Sequence, residues 1–142
     1  MRKAESINFK DIKVGLTKEF TVKITEEMLV DFARISGDYN PLHMDDVYAK
    51  STKFKKRVVH GMLLSTFLSR MVGMHLPGQK ALYLSQDLKF KNPGFIGDTI
   101  KVIGKVMAIS EGLKLITLET VIQNQDDQVL VKGEAQVSYL EG

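Results

Sequence analysis

Between residues 37 and 43 the chain reads Gly37-Asp38-Tyr39-Asn40-Pro41-Leu42-His43. A carboxylate, a carboxamide and an imidazole share this short stretch, and Pro41 stiffens it by holding Asn40 in an extended conformation. An Asp and a His that converge on one water form an acid–base pair. One group accepts a proton from water while the other supplies one to a reacting carbon. Neither side chain needs a metal for that chemistry. Taken singly, the same residues have plainer roles: Asp38 suits an Asx-turn, Asn40-Pro41 an ordinary loop corner, and His43 a loop histidine bonded to a carbonyl. The residue types alone favour those plainer roles, but the string Gly-Asp-x-Asn-Pro-x-His is far less generic than its parts.

The flanking pattern predicts the elements that position this loop. Phe20, Val22 and Ile24 alternate with Thr21 and Lys23, which predicts a half-buried strand near Lys18–Ile24. A helix is expected from Glu26 to Ser36. Thr25 is a suitable N-cap, Glu26 and Glu27 suit the positive end of the helix dipole, and Gly37 suits the C-terminal stop. Ile24 and Leu29 stand in the spacing of a hydrophobic staple, and Met28, Leu29, Phe32 and Ala33 form one apolar face. Asp38–His43 then reads as a turn-rich loop, with a short helical piece at Asp45–Ala49. The stretch His60–Leu76 has helical length and stops at Pro77-Gly78. Its apolar residues are not confined to one stripe, so it is expected to be buried, with Met62, Leu63 and Phe67 in the core.

Beyond Gly78 the period changes to that of strands. Leu82, Leu84, Leu88 and Phe90 read as one apolar face, with Gln86 its polar exception. Further strands are expected near Thr99–Ala108, Leu113–Gln123 and Val129–Tyr139, the last two joined by a hairpin at Asn124–Asp127. Strand, helices, then consecutive strands predict an α+β fold with a mainly antiparallel sheet. A strongly curved sheet wrapped around the long helix would cover it on most sides, with a second subunit burying what remains. An ordinary two-layer α+β sandwich carries the same pattern.

The 142 residues fit a single domain spanning 1–142, large enough to hold a core without staples. Hydrophobic residues are 44% and charged residues 26%, an ordinary globular composition. There is no cysteine, which excludes disulfides and thiolate metal sites. The start, Met1-Arg2-Lys3-Ala4-Glu5-Ser6, has no apolar signal core, and no apolar run is long enough for a membrane span; a soluble cytoplasmic protein is expected. The net charge of +3 is too small to argue for nucleic acid. Lys50, Lys53, Lys55, Lys56 and Arg57 form a basic run, read as a solvated face in preference to a site for an anionic ligand.

The stretch Phe32–His43 resembles the signature of the MaoC-like (R)-specific enoyl-CoA hydratases. The resemblance continues through Val59-His60-Gly61-Met62-Leu63-Leu64, Leu76-Pro77-Gly78, Tyr83–Phe90 and Pro93–Asp98, in order and with compatible spacing. It implies a single hotdog domain, a homodimer or higher homo-oligomer, and no cofactor or metal. It also implies that Asp38 and His43 hold the catalytic water, which adds across the double bond of a trans-2-enoyl-CoA to give the (R)-3-hydroxyacyl product. Asn40, Gly61 and Ser69 fall on matching positions as oxyanion or substrate-binding residues. Gly61 has a physical rationale of its own: N–H groups at a helix start lack intrahelical partners, and the thioester oxygen gains negative charge as water adds. Ser69 reads equally well as a small helix residue bonded to a carbonyl one turn back. His60 and His75 read as structural, and Gln86 as satisfying a polar group near the site or at a subunit seam.

Other activities share these features. A 3-hydroxyacyl-[acyl-carrier-protein] dehydratase would use the same residues. A hotdog acyl-thioesterase would direct water at the carbonyl carbon, which the Asp38/Asn40/His43 set fits less well. A non-catalytic acyl-thioester-binding protein would need neither Asp38 nor His43. Either phosphorylated carrier, coenzyme A or acyl-carrier protein, could meet the basic run. Neither nucleic acid nor membrane is expected as a partner.

Overall fold

The computed structural model describes residues 2–141. A 3-10 turn at Phe9–Asp11 leads into strand β1 (Thr17–Lys23). Helices α1 (Glu26–Ser36), α2 (Pro41–Met44), α3 (Asp46–Ser51) and α4 (Gly61–Arg70) follow. The chain then runs through strands β2 (Ala81–Gln86), β3 (Lys89–Phe90), β4 (Thr99–Ser110), β5 (Leu115–Gln123) and β6 (Val129–Tyr139).

The strands form one six-stranded antiparallel sheet in the order β1-β4-β5-β6-β2, with β3 also paired to β6. Its inner face is built by the period-2 pattern. Ile116, Leu118, Thr120 and Ile122 of β5 are buried, as are Ile100, Val102 and Val106 of β4. Against that face lies α4, which contributes Leu63, Leu64 and Leu68 to the core. A π-helical turn at Met71–His75 extends it and adds Met71 and Val72. The sheet curves around this helix without closing, and a bulge between Val106 and Ala108 marks one place where β4 bends. Gly104 lets the helix seat closely, since a Cβ there would stand 2.9 Å from the Met71 Cγ.

The expected α1 forms with its caps. The Thr25 hydroxyl accepts the Met28 N–H, Gly37 takes the left-handed conformation at φ 80°, and Ile24 and Leu29 are both buried in the core. The hairpin also forms: Asn124 Oδ1 accepts the N–H groups of Asp126 and Gln128, closing the β5–β6 turn.

Three expectations are corrected. The loop expected at Asp38–His43 is partly helical, because Asn40 caps a helical turn beginning at Pro41, where proline's missing N–H costs nothing. The long helix is buried on one side only: Met62 is 55% exposed and Ser69 lies at the surface. The pattern of large side chains there overstated the cover a single sheet provides. Leu82, Leu84 and Phe90 do not form an inner face; each is about half exposed. A bulge between Tyr83 and Ser85 shifts the alternation by one residue, so Tyr83 and then Gln86 are the partly buried positions. Inside, Tyr83 donates to Gln86 Oε1, and Gln86 Nε2 donates to Thr120 Oγ1 at 2.9 Å. Burial pushes the Tyr83 phenol up to about 12.

After β2 the chain crosses β6 in close contact. A Cβ on Gly133 would lie 1.9 Å from the Asp87 carbonyl oxygen, a rigid backbone atom, whereas the neighbour of Gly104 is a flexible methionine. Gly133→Ala is therefore expected to cost about 3 kcal/mol or more of unfolding free energy, and Gly104→Ala about 1 kcal/mol, in urea titrations.

Candidate active site

The Asp38–His43 loop rests on a short extended segment, Arg57-Val58-Val59-His60, whose four residues are all buried. The Val58 N–H donates to the Leu42 carbonyl at 3.1 Å, and the Val59 N–H donates to the Gly94 carbonyl at 2.8 Å. The segment thus ties the loop on one side to the chain ahead of β4 on the other. Its end residues grip the loop with side chains. Arg57 Nε donates to the His43 carbonyl at 2.7 Å, and the His60 ring nitrogen Nε2 donates to the Asp38 carbonyl at 3.0 Å.

Within the loop, the plain local roles are realised and serve as scaffolding. Asp38 Oδ1 accepts the Asn40 N–H at 3.1 Å, forming the Asx-turn, and Asn40 Oδ1 accepts the Leu42 N–H at 2.9 Å as the cap of α2. Asn40 thereby orients the turn of helix that carries His43.

Hydrogen-bond chemistry fixes the tautomers. His43 Nδ1 lies 2.6 Å from the Val58 carbonyl, which only accepts, so Nδ1 carries the proton and Nε2 of the neutral ring keeps its lone pair. His60 is the mirror case: Nε2 holds the proton, and Nδ1 is buried with no partner among the described residues. The two rings stack, with centroids 4.1 Å apart and planes at 27°. Burial, followed by the Asp38 main-chain contact and the nearby His43 and Arg57 charges, sets the His60 balance, and the net effect holds its pKa below the ordinary 6.5.

One ring nitrogen each of His43 and His60 and one carboxylate oxygen of Asp38 lie within 4.8 Å of one another. Stacked rings send their in-plane lone pairs alongside each other, whereas a metal needs imidazole nitrogens aimed at one point at about 2.0–2.1 Å. The cluster therefore suits proton transfer better than coordination.

Asp38, His43, His60 and Gly61 line one wall of a cavity of about 360 Å³, whose other walls are largely apolar: Phe54, Val58, Met62, Leu64, Phe90 and Leu130. Gly61 opens α4, and the first intrahelical bond there runs from the Leu64 N–H to the His60 carbonyl at 3.2 Å. The N–H groups of Gly61, Met62 and Leu63 therefore have no acceptor inside the helix. Phe90 packs over the glycine: a Cβ on Gly61 would stand 2.7 Å from two ring carbons.

Asp38, His43 and Gly61 thus come together. Asn40 supports them from behind without lining the cavity, and Ser69, on the exposed part of α4, does not reach it. Met62, expected in the core, lines the cavity. His75 lies elsewhere, bonded through Nδ1 to Glu5 at 2.7 Å. Sequence reasoning missed Arg57, which it placed in the basic surface run. Arg57 is 7% exposed, with its Nη1 2.8 Å from Glu26 and 3.8 Å from Asp46. Its one signal is that Val58-Val59 follow it directly, an apolar pair that draws the end of a charged run inward.

Residues 9–127 match the MaoC like domain. The chain belongs to this family. It is 38% identical over 126 residues to the (R)-specific enoyl-CoA hydratase of Aeromonas caviae, covering 89% of this chain and 94% of that one. Identity to the enzyme of the same name from Rhodospirillum rubrum is 40% over 129 residues, covering 91% and 89%. A mitochondrial 3-hydroxyacyl-[acyl-carrier-protein] dehydratase of Arabidopsis thaliana is 35% identical, covering 87% of this chain and 75% of its own. Among solved structures, the A. caviae (R)-hydratase superposes with a TM-score of 0.90 at 37% identity, over 92% of this chain and 99% of that one. The Pseudomonas aeruginosa R-hydratase PhaJ1 superposes with a TM-score of 0.92 at 36% identity, over 98% and 89%. The hotdog fold of this MaoC-like chain follows from these superpositions. Among its described residues no helix is long and apolar enough to cross a membrane.

Two outcomes are expected from the site's supports. Arg57→Ala removes the bond to the His43 carbonyl but leaves Glu26 65% exposed and hydrated, so the loss is about 1–3 kcal/mol, measured by urea unfolding. The depressed His60 pKa implies a stability contribution that is complete above pH 6.5 and falls as the pH drops from there toward the folded pKa. Urea midpoints of the wild type and His60→Gln, compared at pH 7.5 and 5, are expected to show that component lost in the variant.

Proposed function

We propose that this MaoC-like chain catalyses the reversible, (R)-specific hydration of trans-2-enoyl-CoA to (R)-3-hydroxyacyl-CoA. The observation that carries the reading is the meeting of the Asp38 carboxylate, the His43 ring and the amide end of α4 on one wall of an apolar cavity. Similarity to chains named as (R)-specific enoyl-CoA hydratases supports the substrate class and the stereochemistry.

Asp38 takes a proton from a water whose oxygen bonds to the β carbon. His43, with Nδ1 committed to Val58, has Nε2 left to hold that water and shares in passing the proton to the α carbon. One O–H bond and the π bond between the α and β carbons break, and one C–O and one C–H bond form, so addition and elimination use the same groups. As the β carbon is attacked, negative charge moves onto the thioester oxygen, where the Gly61 N–H and the positive end of α4 stabilise it. The apolar walls strengthen those interactions by excluding water.

We infer a homodimer as the working form. The β2 edge of the sheet carries Leu82 and Leu84, 50% and 54% exposed, and a second copy set against that edge would cover them.

The test is hydration of crotonyl-CoA, following loss of enoyl absorbance and resolving the product's enantiomers. Asp38→Asn and His43→Asn are each expected to fold and to lose roughly 10²–10⁴-fold in kcat. Wild-type rates in either variant would remove these residues from the chemistry. Turnover only on a carrier-protein thioester would move the protein to the dehydratase activity named for the Arabidopsis relative, and thiol release from a saturated acyl-CoA to a thioesterase.

A further inference from the structure

We propose that His60 is a positioning residue for the hydration chemistry, holding Asp38 through its main-chain carbonyl and backing the ring of His43. The inference rests on the function proposed above and assigns a role to a histidine that the acid–base pair does not use.

His60 is 2% exposed, and its ring lies between Phe32 of α1, at 4.8 Å between centroids, and His43 of α2, at 4.1 Å. Its Nε2–H donates to the Asp38 carbonyl at 3.0 Å. The remaining bonds of Asp38 are local: its N–H donates to the Ser36 hydroxyl at 3.1 Å, and its Oδ1 accepts from Asn40 at 3.1 Å. Among the described residues, His60 is therefore the tie between Asp38 and the core.

The N–H donated to the Asp38 carbonyl separates this role from simple filling of space. Nδ1 of the same ring is buried and has no partner among the described residues. A side chain needed only for packing would be apolar and would bring no N–H to that carbonyl. Two requirements explain an imidazole here. A flat ring must stack on His43, and an N–H at the far end of that ring must reach the Asp38 carbonyl. Phenylalanine meets the first alone and glutamine mainly the second. The charged or titratable groups facing the ring are Asp38, His43 and Arg57. A neutral ring stacks against His43 without repelling the proton His43 handles during turnover.

The experiment compares His60→Gln, His60→Phe and the wild type in crotonyl-CoA hydration. Carbonyl ¹³C and Tyr39 amide shifts are recorded by NMR, because the His60 bond polarises the Asp38–Tyr39 peptide. For His60→Phe, kcat is expected to fall roughly 10- to 100-fold with KM nearly unchanged, as misplacement of a reacting group does. The Asp38 carbonyl and Tyr39 amide signals should shift together. His60→Gln should return both signals and part of the kcat, because it restores the N–H but not the stacked ring. The proposal is overturned by a His60→Phe rate within about 3-fold of wild type, by a glutamine variant no better than phenylalanine, or by an unmoved Asp38 signal. If neither variant folds, by thermal melting, His60 belongs to the core and the proposal also falls. The NMR arm needs no turnover, so a wild type inactive on enoyl thioesters would sink the proposed function while still deciding what holds Asp38.

Discussion

The site depends on the docking of one irregular stretch of backbone against another. A loop that carries an aspartate and a histidine has little order of its own. Here the buried segment Arg57–His60 binds it through the Leu42, His43 and Asp38 carbonyls and receives the His43 ring on the Val58 carbonyl. Buried backbone groups must find partners, and each of these bonds also fixes an atom of the site. The same segment is anchored by Val59 to Gly94 and by a bridge from Val58 to Phe95, so the loop inherits the rigidity of the sheet. His60 then leads directly into Gly61, which places the amide end of α4 beside the loop.

Electrostatics follows from that docking. Carbonyl acceptors commit one nitrogen each of His43 and His60, and burial keeps His60 in its neutral form. Arg57 supplies a fixed cation behind the site, balanced by Glu26 of α1 and Asp46 of α3. Both acids are mostly exposed, so these ion pairs add little to stability. Their value is geometric: one planar guanidinium joins α1, the start of α3 and the backbone of His43. The apolar walls opposite complete a site with few polar groups, each already oriented before a substrate arrives.

The sheet and α4 supply a frame that is finished on one side. Core packing of β4, β5 and β6 against Leu64, Leu68 and Met71 fixes the helix. Its other side, with Met62, and the nearby Leu82, Leu84 and Phe90 remain half exposed in the single chain. The bulge in β2 bears on the two leucines, which face outward while Tyr83 and Gln86 are kept in an internal polar network.

The local sequence alone determined α1 and its caps, because Thr25, Gly37 and the apolar face act within a few residues of one another. It also determined the strand alternation of β4, β5 and β6 and the β5–β6 turn, where the period and Asn124 are sufficient. The string from Asp38 to His43 pointed to an acid–base pair. Convergence was decided in three dimensions. Gly61 meets that pair only because residues 57–60 dock the loop, and Ser69, on the same helix, lies away from the cavity. The inward turn of Arg57, the stacking of His60 and the outward turn of Leu82 and Leu84 were likewise tertiary decisions. Each depends on partners far along the chain or on a one-residue bulge, and neither side-chain type nor periodicity records where such a partner will lie.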